Sequence, residues 1–199
     1  MNKKQIISTL VVSSIFLSAC TLFPSNDDKN INLSVTTSPT MTQTEPTKTA
    51  TNPNAESVVA IKTKDGQIVV KLFKTETPGA VSTFMKKVEE KFYNGLTFHR
   101  VIPGFMAQGG DPTGTGMGGG KQKSELNSIP FKRGTLGLAR TAETKEVSND
   151  SQFFICFTTE GCQHLTGDYV NFGEVISGLD VLDKITQGDK ILEITTATK

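Results

Sequence analysis

Apolar and polar positions divide the chain into three regimes. Residues 6–17 form an apolar run interrupted by Ser and Thr, with Lys3 and Lys4 ahead of it. The run is too short for a typical spanning helix and has the build of a signal h-region. From 21 to 56 no apolar periodicity survives, and Ser, Thr, Pro and Asn supply 21 of the 36 residues. Such a segment cannot bury enough surface to offset its ordering entropy, so a disordered linker with a reach of about 30 Å is expected. From residue 57 onward, strand and helix periodicities begin.

Residues 58–63 and 67–73, around Asp65-Gly66, predict a β-hairpin. Residues 78–92 predict a helix, with Thr77 as N-cap and Pro78 at the first helical position. Ala80 or Val81, Phe84, Val88 and Phe92 form its inward stripe, and Lys86, Lys87, Glu89, Glu90 and Lys91 face solvent. Strands are expected at 96–101, 134–139, 152–157, 171–176 and 191–197, and a second helix at 178–187. Many short strands with two helices predict a mainly β fold, a closed or nearly closed barrel whose open ends the helices cap.

At 199 residues the chain is long enough for one domain with a tail. A hydrophobic content of 36% agrees with part of it not folding. Its net charge of +1 gives no electrostatic reason to expect nucleic acid as a partner. Leu17-Ser18-Ala19-Cys20 resembles the bacterial lipoprotein processing box. That resemblance implies a signal peptide at 1–19, lipidation of Cys20, a linker over 20–56, and a folded domain at 57–199 held outside the cytoplasm on a membrane. Cys156 lies in an apolar run and reads as core, and Cys162 follows Gly161 in a turn-rich stretch. Their spacing is not that of a C-x-x-C redox pair, and whether they pair outside the cytoplasm stays open.

The segment F-H-R-V-I-P-G-F-M-A-Q-G-G-D at 98–111 resembles the signature of the cyclophilin family of peptidyl-prolyl cis-trans isomerases. S-Q-F-F-I-C at 151–156, N-F-G-E-V at 171–175, and the stretches 134–136 and 138–140 resemble the family's other landmarks, in order. The resemblance covers residues 57–199. It implies a closed eight-stranded antiparallel barrel with two end helices, acting as a monomer on proline-containing polypeptides in the exported compartment.

Rotation about an X-Pro bond faces a barrier of about 18–20 kcal/mol, while the isomers lie close in energy. The problem is therefore kinetic, and it requires no cofactor or metal. A catalyst needs an apolar pocket for the proline ring, polar groups for the flanking backbone, and a donor for the twisted amide nitrogen. By resemblance, Arg100 is that donor, a role suited to its permanent charge and rigid fork. Phe105, Met106 and Phe154 form the pocket, with Leu165 on its rim. Gln108 and Gln152 hold the substrate backbone and position Arg100. Ala139 and Arg140 line the subsite before proline.

Three positions depart from the family's common residues. His164 stands where many members carry Trp, which implies weak cyclosporin binding. Tyr169 replaces a common pocket His and keeps an aromatic wall. Arg140 replaces a common Asn and adds charge beside the groove. The spacing G-x-G-x-x-G at 114–119 lacks a strand-turn-helix context and carries no dinucleotide reading. His99 and His164 have no accompanying Cys or carboxylate cluster, so no metal site is expected, and His99 reads as a hydrogen-bonded structural residue. The competing reading is a surface module that binds or adheres to proline segments without turnover.

Overall fold

A computed structural model describes residues 57–197. The expected signal peptide, Cys20 and the linker lie outside the described residues. Strands β1 (Ser57–Thr63) and β2 (Gly66–Leu72) form the expected hairpin, paired from Ser57↔Leu72 to Thr63↔Gly66. Lys64 and Asp65 make the turn, and Gly66 leaves it at φ +136°, a conformation open to glycine.

Helix α1 (Pro78–Glu89) buries Ala80, Val81, Phe84 and Val88 of the predicted stripe, while Phe92 falls beyond its end and is half-buried. Thr77 does not cap it. Its hydroxyl donates to the Phe73 carbonyl at 2.9 Å instead. The free N–H groups of Gly79 and Ala80 donate to the two carboxylate oxygens of Glu125, at 3.0 and 2.9 Å. A distant anion thus satisfies the positive end of the helix. The helix ends at Glu89 rather than at 92, because Lys91 takes the left-handed conformation at φ +56°.

The other strands are β3 (Arg100–Ile102), β4 (Met106–Gly109), β5 (Lys121–Lys123), β6 (Thr135–Leu138), β7 (Val147–Asn149), β8 (Phe153–Cys156), β9 (Asn171–Ser177) and β10 (Glu193–Ala197). Eight of them form one antiparallel sheet in the order β10-β1-β2-β9-β6-β8-β4-β3, and β5 pairs with β7 separately.

The sheet is a curled half-barrel, not the closed barrel the sequence predicts. Its end strands β10 and β3 do not pair. The chain ahead of β3 meets the chain ahead of β10 through a few irregular bonds. Phe98 N–H donates to the Asp189 carbonyl at 2.8 Å, and Ile191 N–H to the Leu96 carbonyl at 2.8 Å. The expected strand at 96–101 therefore yields one isolated bridge, Thr97↔Lys190, before β3 begins.

Two short helices follow β8, α2 (Thr159–Cys162) and α3 (Leu179–Leu182). The second helix expected at 178–187 shrinks to α3. The N–H groups of Lys184 and Ile185 donate to carbonyls three residues back, which tightens the chain out of the α-helix. Phe84, Tyr93, Phe98, Phe153 and Phe172 are fully buried in the main core, where the α1 stripe meets the sheet. Phe84 anchors it, with ring centroids 5.0 Å from Tyr93, 5.7 Å from Phe153 and 5.3 Å from Phe172.

Candidate active site

Strand β8 sorts its residues by parity. Phe153 and Ile155 enter the main core. Phe154 and Cys156 enter a second, smaller cluster with Met106, Phe131, Cys162 and Leu165, flanked by Phe105 and Tyr169. The period-two geometry of a strand makes this division. The neighbouring β4 divides likewise, with Ala107 in the core and Met106 in the second cluster.

Register then sets the site. Arg100 pairs with Gln108, Gln108 with Phe154, and Phe154 with Gly137. Arg100, Gln108 and Phe154 form one row across adjacent strands, side by side on the same face. Gly137 supplies the space. A Cβ there would lie 2.4 Å from Phe154 Cζ and 2.8 Å from Phe131 Cε1. Without it, the two rings stack at 5.8 Å between centroids.

A chain of hydrogen bonds fixes Arg100. Its Nη1 donates to Gln108 Oε1 at 3.2 Å, and Gln108 Nε2 donates to Gln152 Oε1 at 2.9 Å. The buried Gln152 Nε2 donates to the carbonyls of Gly118 and Gly116 at 2.7 and 3.1 Å. The Gln152 amide is thus satisfied within the protein. The Gly116–Gly118 turn is held in place by Asp111. Burial opposes charge on this carboxyl. Donation from Thr113 and from the Gly116 and Gly118 backbones outweighs burial and lowers its pKa to about 2. Gly110 lets the chain just ahead of Asp111 pass close to Ser151: at φ +82°, a Cβ there would lie 2.3 Å from the Ser151 carbonyl oxygen.

These elements enclose a cavity of about 150 Å³ lined by Arg100, Phe105, Met106, Gln108, Ala139, Arg140, Phe154, Leu165 and Tyr169. It suits one small ring rather than a ligand of drug size. Nine of the expected site residues meet there. Gln152 and His164 stand outside the lining. His164 is exposed, with its ring 5.8 Å from that of Phe105. Arg140 lies over the Tyr169 ring at 4.3 Å.

Sequence reasoning missed Phe131, which lies behind Phe154. Its sequence neighbourhood, Pro130-Phe131-Lys132, carries no strand or helix pattern that would expose its role. The open question of the cysteines is answered by a Cys156–Cys162 disulfide that ties β8 to α2, with the Cα atoms 6.2 Å apart. The expectation of a hydrogen-bonded His99 is not met by geometry. Both ring nitrogens are buried with no partner in hydrogen-bond geometry, and burial lowers the pKa against the opposing influence of Asp111 and the nearby Thr97 backbone. A loop of glycines passes beside the ring, with Gly116 close to Nε2, and offers no side chain to bond it.

Residues 58–198 match the family described as cyclophilin type peptidyl-prolyl cis-trans isomerase/CLD. The chain belongs to the cyclophilin family of peptidyl-prolyl cis-trans isomerases. This cyclophilin is 47% identical over 137 residues to a peptidyl-prolyl cis-trans isomerase of Helicobacter pylori (strain ATCC 700392 / 26695), covering 66% of this chain and 81% of that one. It is 40% identical over 136 residues to peptidyl-prolyl cis-trans isomerase B of Bacillus subtilis (strain 168), covering 66% and 92%. Among solved structures it resembles a Cryptosporidium parvum cyclophilin type isomerase, with TM-score 0.66 and 31% identity, covering 72% of this chain and 99% of that one. A second structure of that protein, determined in the presence of the dipeptide Ala-Pro, gives TM-score 0.64 and 31% identity over 71% and 99%. Every residue lining the cavity falls inside the matched span of this cyclophilin.

Proposed function

We propose that this cyclophilin seats the proline ring of an X-Pro segment in the 150 Å³ cavity and stabilises the twisted amide through Arg100. The observation that carries this reading is the row Arg100–Gln108–Phe154, which sets a fixed cationic donor beside an apolar pocket. As the amide twists, conjugation is lost and the nitrogen recovers its lone pair. A guanidinium N–H that donates to that lone pair stabilises the transition state more than either planar isomer. No covalent bond is made or broken. Phe105, Met106, Phe154 and Leu165 hold the ring away from water, where the donor's interaction is strongest. Gln108 and the backbone near Ala139 and Arg140 hold the flanking chain.

The clients are exported proteins, and the domain works as a monomer outside the cytoplasm, tethered by lipidated Cys20. The Leu17-Ser18-Ala19-Cys20 sequence supports the tether. The test of the catalytic reading compares isomerisation of a short proline peptide by the full chain and by Arg100→Ala. A loss of about a hundredfold or more in kcat/KM is expected, with unchanged melting, since removing a transition-state donor costs on this scale. Full activity in the variant would remove Arg100 from the mechanism. For the tether, mass spectrometry of protein from the native host should show acylated Cys20. An unmodified Cys20 there would refute it.

A further inference from the structure

A second cavity of about 290 Å³ adjoins the proline pocket and shares Gln108, Ala139 and Arg140 with it. The charged residues lining the two cavities are Arg100, Arg140 and Lys121, and no carboxylate lines either one. The hydrogen-bond acceptors of Arg100 and Arg140 are neutral. Arg100 donates to Gln108. Arg140 donates through Nε to the Asp168 carbonyl at 3.0 Å and through Nη1 to the carbonyls of Thr141 and Thr144 at 2.9 and 3.4 Å. Its guanidinium stacks on Tyr169.

Three nearby carboxylates have closer partners of their own. Asp168 pairs with Lys145 at 3.0 Å. Asp150 accepts from Gly120 N–H at 2.7 Å and pairs with Lys87 at 3.5 Å. Asp111 is enclosed by its own loop. Glu146 lines a neighbouring depression together with Lys121 and Lys123, one anion against two cations. The two adjoining cavities are therefore lined by three cations and no carboxylate, and the charge of Arg140 is only partly offset by Asp168, which pairs with Lys145. Met117, 88% exposed, stands on the rim of the second cavity and offers an apolar contact beside those charges.

We infer that this cyclophilin prefers proline segments carrying an acidic side chain within two residues of the proline, recognised by Arg140 and Lys121 across the second cavity. The inference rests on the isomerase reading of the first cavity. A glutamate fits the chemistry: its methylenes pack on Met117 while its carboxylate meets the cations. Charges at a half-open surface act mainly on encounter and selectivity, so the expected gain is modest and salt-sensitive.

The test uses the full chain and proline peptides that differ at one site, carrying Glu, Gln or Lys at either of the two positions on each side of the proline. Isomerisation is followed by exchange NMR. At low salt the Glu peptide should exceed its Gln counterpart in kcat/KM by about three- to tenfold at one of these positions, with Lys below both. The ratio should shrink toward one in about 0.5 M salt, and also in the double variant Lys121→Gln, Arg140→Gln. A uniform loss of activity in the variant cancels in this ratio. Turnover of the Gln peptide with a Glu-to-Gln ratio within twofold of one at every position overturns the charge preference alone. A ratio that survives the double substitution overturns its assignment to these two residues. No turnover of any peptide overturns the isomerase reading and the preference with it.

Discussion

The two faces of β8 hold side chains of the same kind and put them to different uses. Phe153 and Ile155 face a core closed by α1 and the sheet, where Phe84, Tyr93 and Phe172 complete the packing. Phe154 and Cys156, one residue along, face a smaller cluster whose packing stops short of closure. Arg100, Gln108 and Arg140 border the gap that remains. The closed face supplies burial energy and fixes the strands. The other face uses those fixed strands to hold a pocket open. A pocket is a core left unfinished on one side, and keeping it so requires bracing from elsewhere. Here the bracing comes from Gly137, the disulfide and the glutamine chain.

Truncation on the two faces should separate them most sharply. Phe153→Ala should cost about 3–5 kcal/mol of stability by leaving a void in the closed core, while the surviving folded fraction stays active. Phe154→Ala should cost roughly half as much and reduce kcat/KM strongly. Denaturant melts combined with peptide turnover measure both, and equal stability losses for the two variants would end the distinction. Reduction of Cys156–Cys162 comes next. In the chain-entropy account a loop this short contributes about 2 kcal/mol, so the reduced protein should melt earlier and bind peptide more weakly. Identical melting of the two forms would show that the bond braces nothing.

Acidification tests the Asp111 turn behind the pocket. Its folded pKa of about 2 lies below the unfolded value of about 3.9. The unfolded state therefore binds the proton more readily. The stabilisation is fully present above about pH 5 and is lost as the pH falls through about 4 toward 2 and below, by on the order of 2–3 kcal/mol. Acid titration of Asp111→Asn against the parent isolates this contribution, which should be missing from the variant's curve. The smallest effect is expected for Gln152→Leu. It should lower stability by about 1–2 kcal/mol, because the Gly116 and Gly118 carbonyls lose their donor. It should also reduce kcat by tenfold or more as Arg100 loses its orientation. A drop in stability with kcat intact would make Gln152 structural alone.

Sequence reading succeeded where a structure is specified by near neighbours. The β1–β2 hairpin follows from alternation around Asp65-Gly66. The buried stripe of α1 follows from helical spacing at Ala80, Phe84 and Val88. The pocket residues were named by resemblance, and nine of them converge, five from the 98–111 and 151–156 blocks and Ala139, Arg140, Leu165 and Tyr169 from elsewhere. Reading failed where a distant group decides. Thr77 occupies a capping position, yet Glu125 takes the cap because the fold delivers a carboxylate there. Strand β4 was hidden by its length of only four residues, Met106–Gly109, and the β5–β7 ribbon by its polar composition.

What the sequence determined by itself is the inventory: an arginine, an aromatic set, two glutamines, and the local periodicities that make strands of them. Only the tertiary structure decided how the sheet ends and which face each residue serves. Closure depends on whether β3 and β10 reach one another across the whole molecule, and they do not. The row of Arg100, Gln108 and Phe154 depends on register between strands far apart in the chain, and a slip of one residue would turn each side chain to the opposite face. Pairing energy and core packing set that register jointly, so no single segment of sequence contains it.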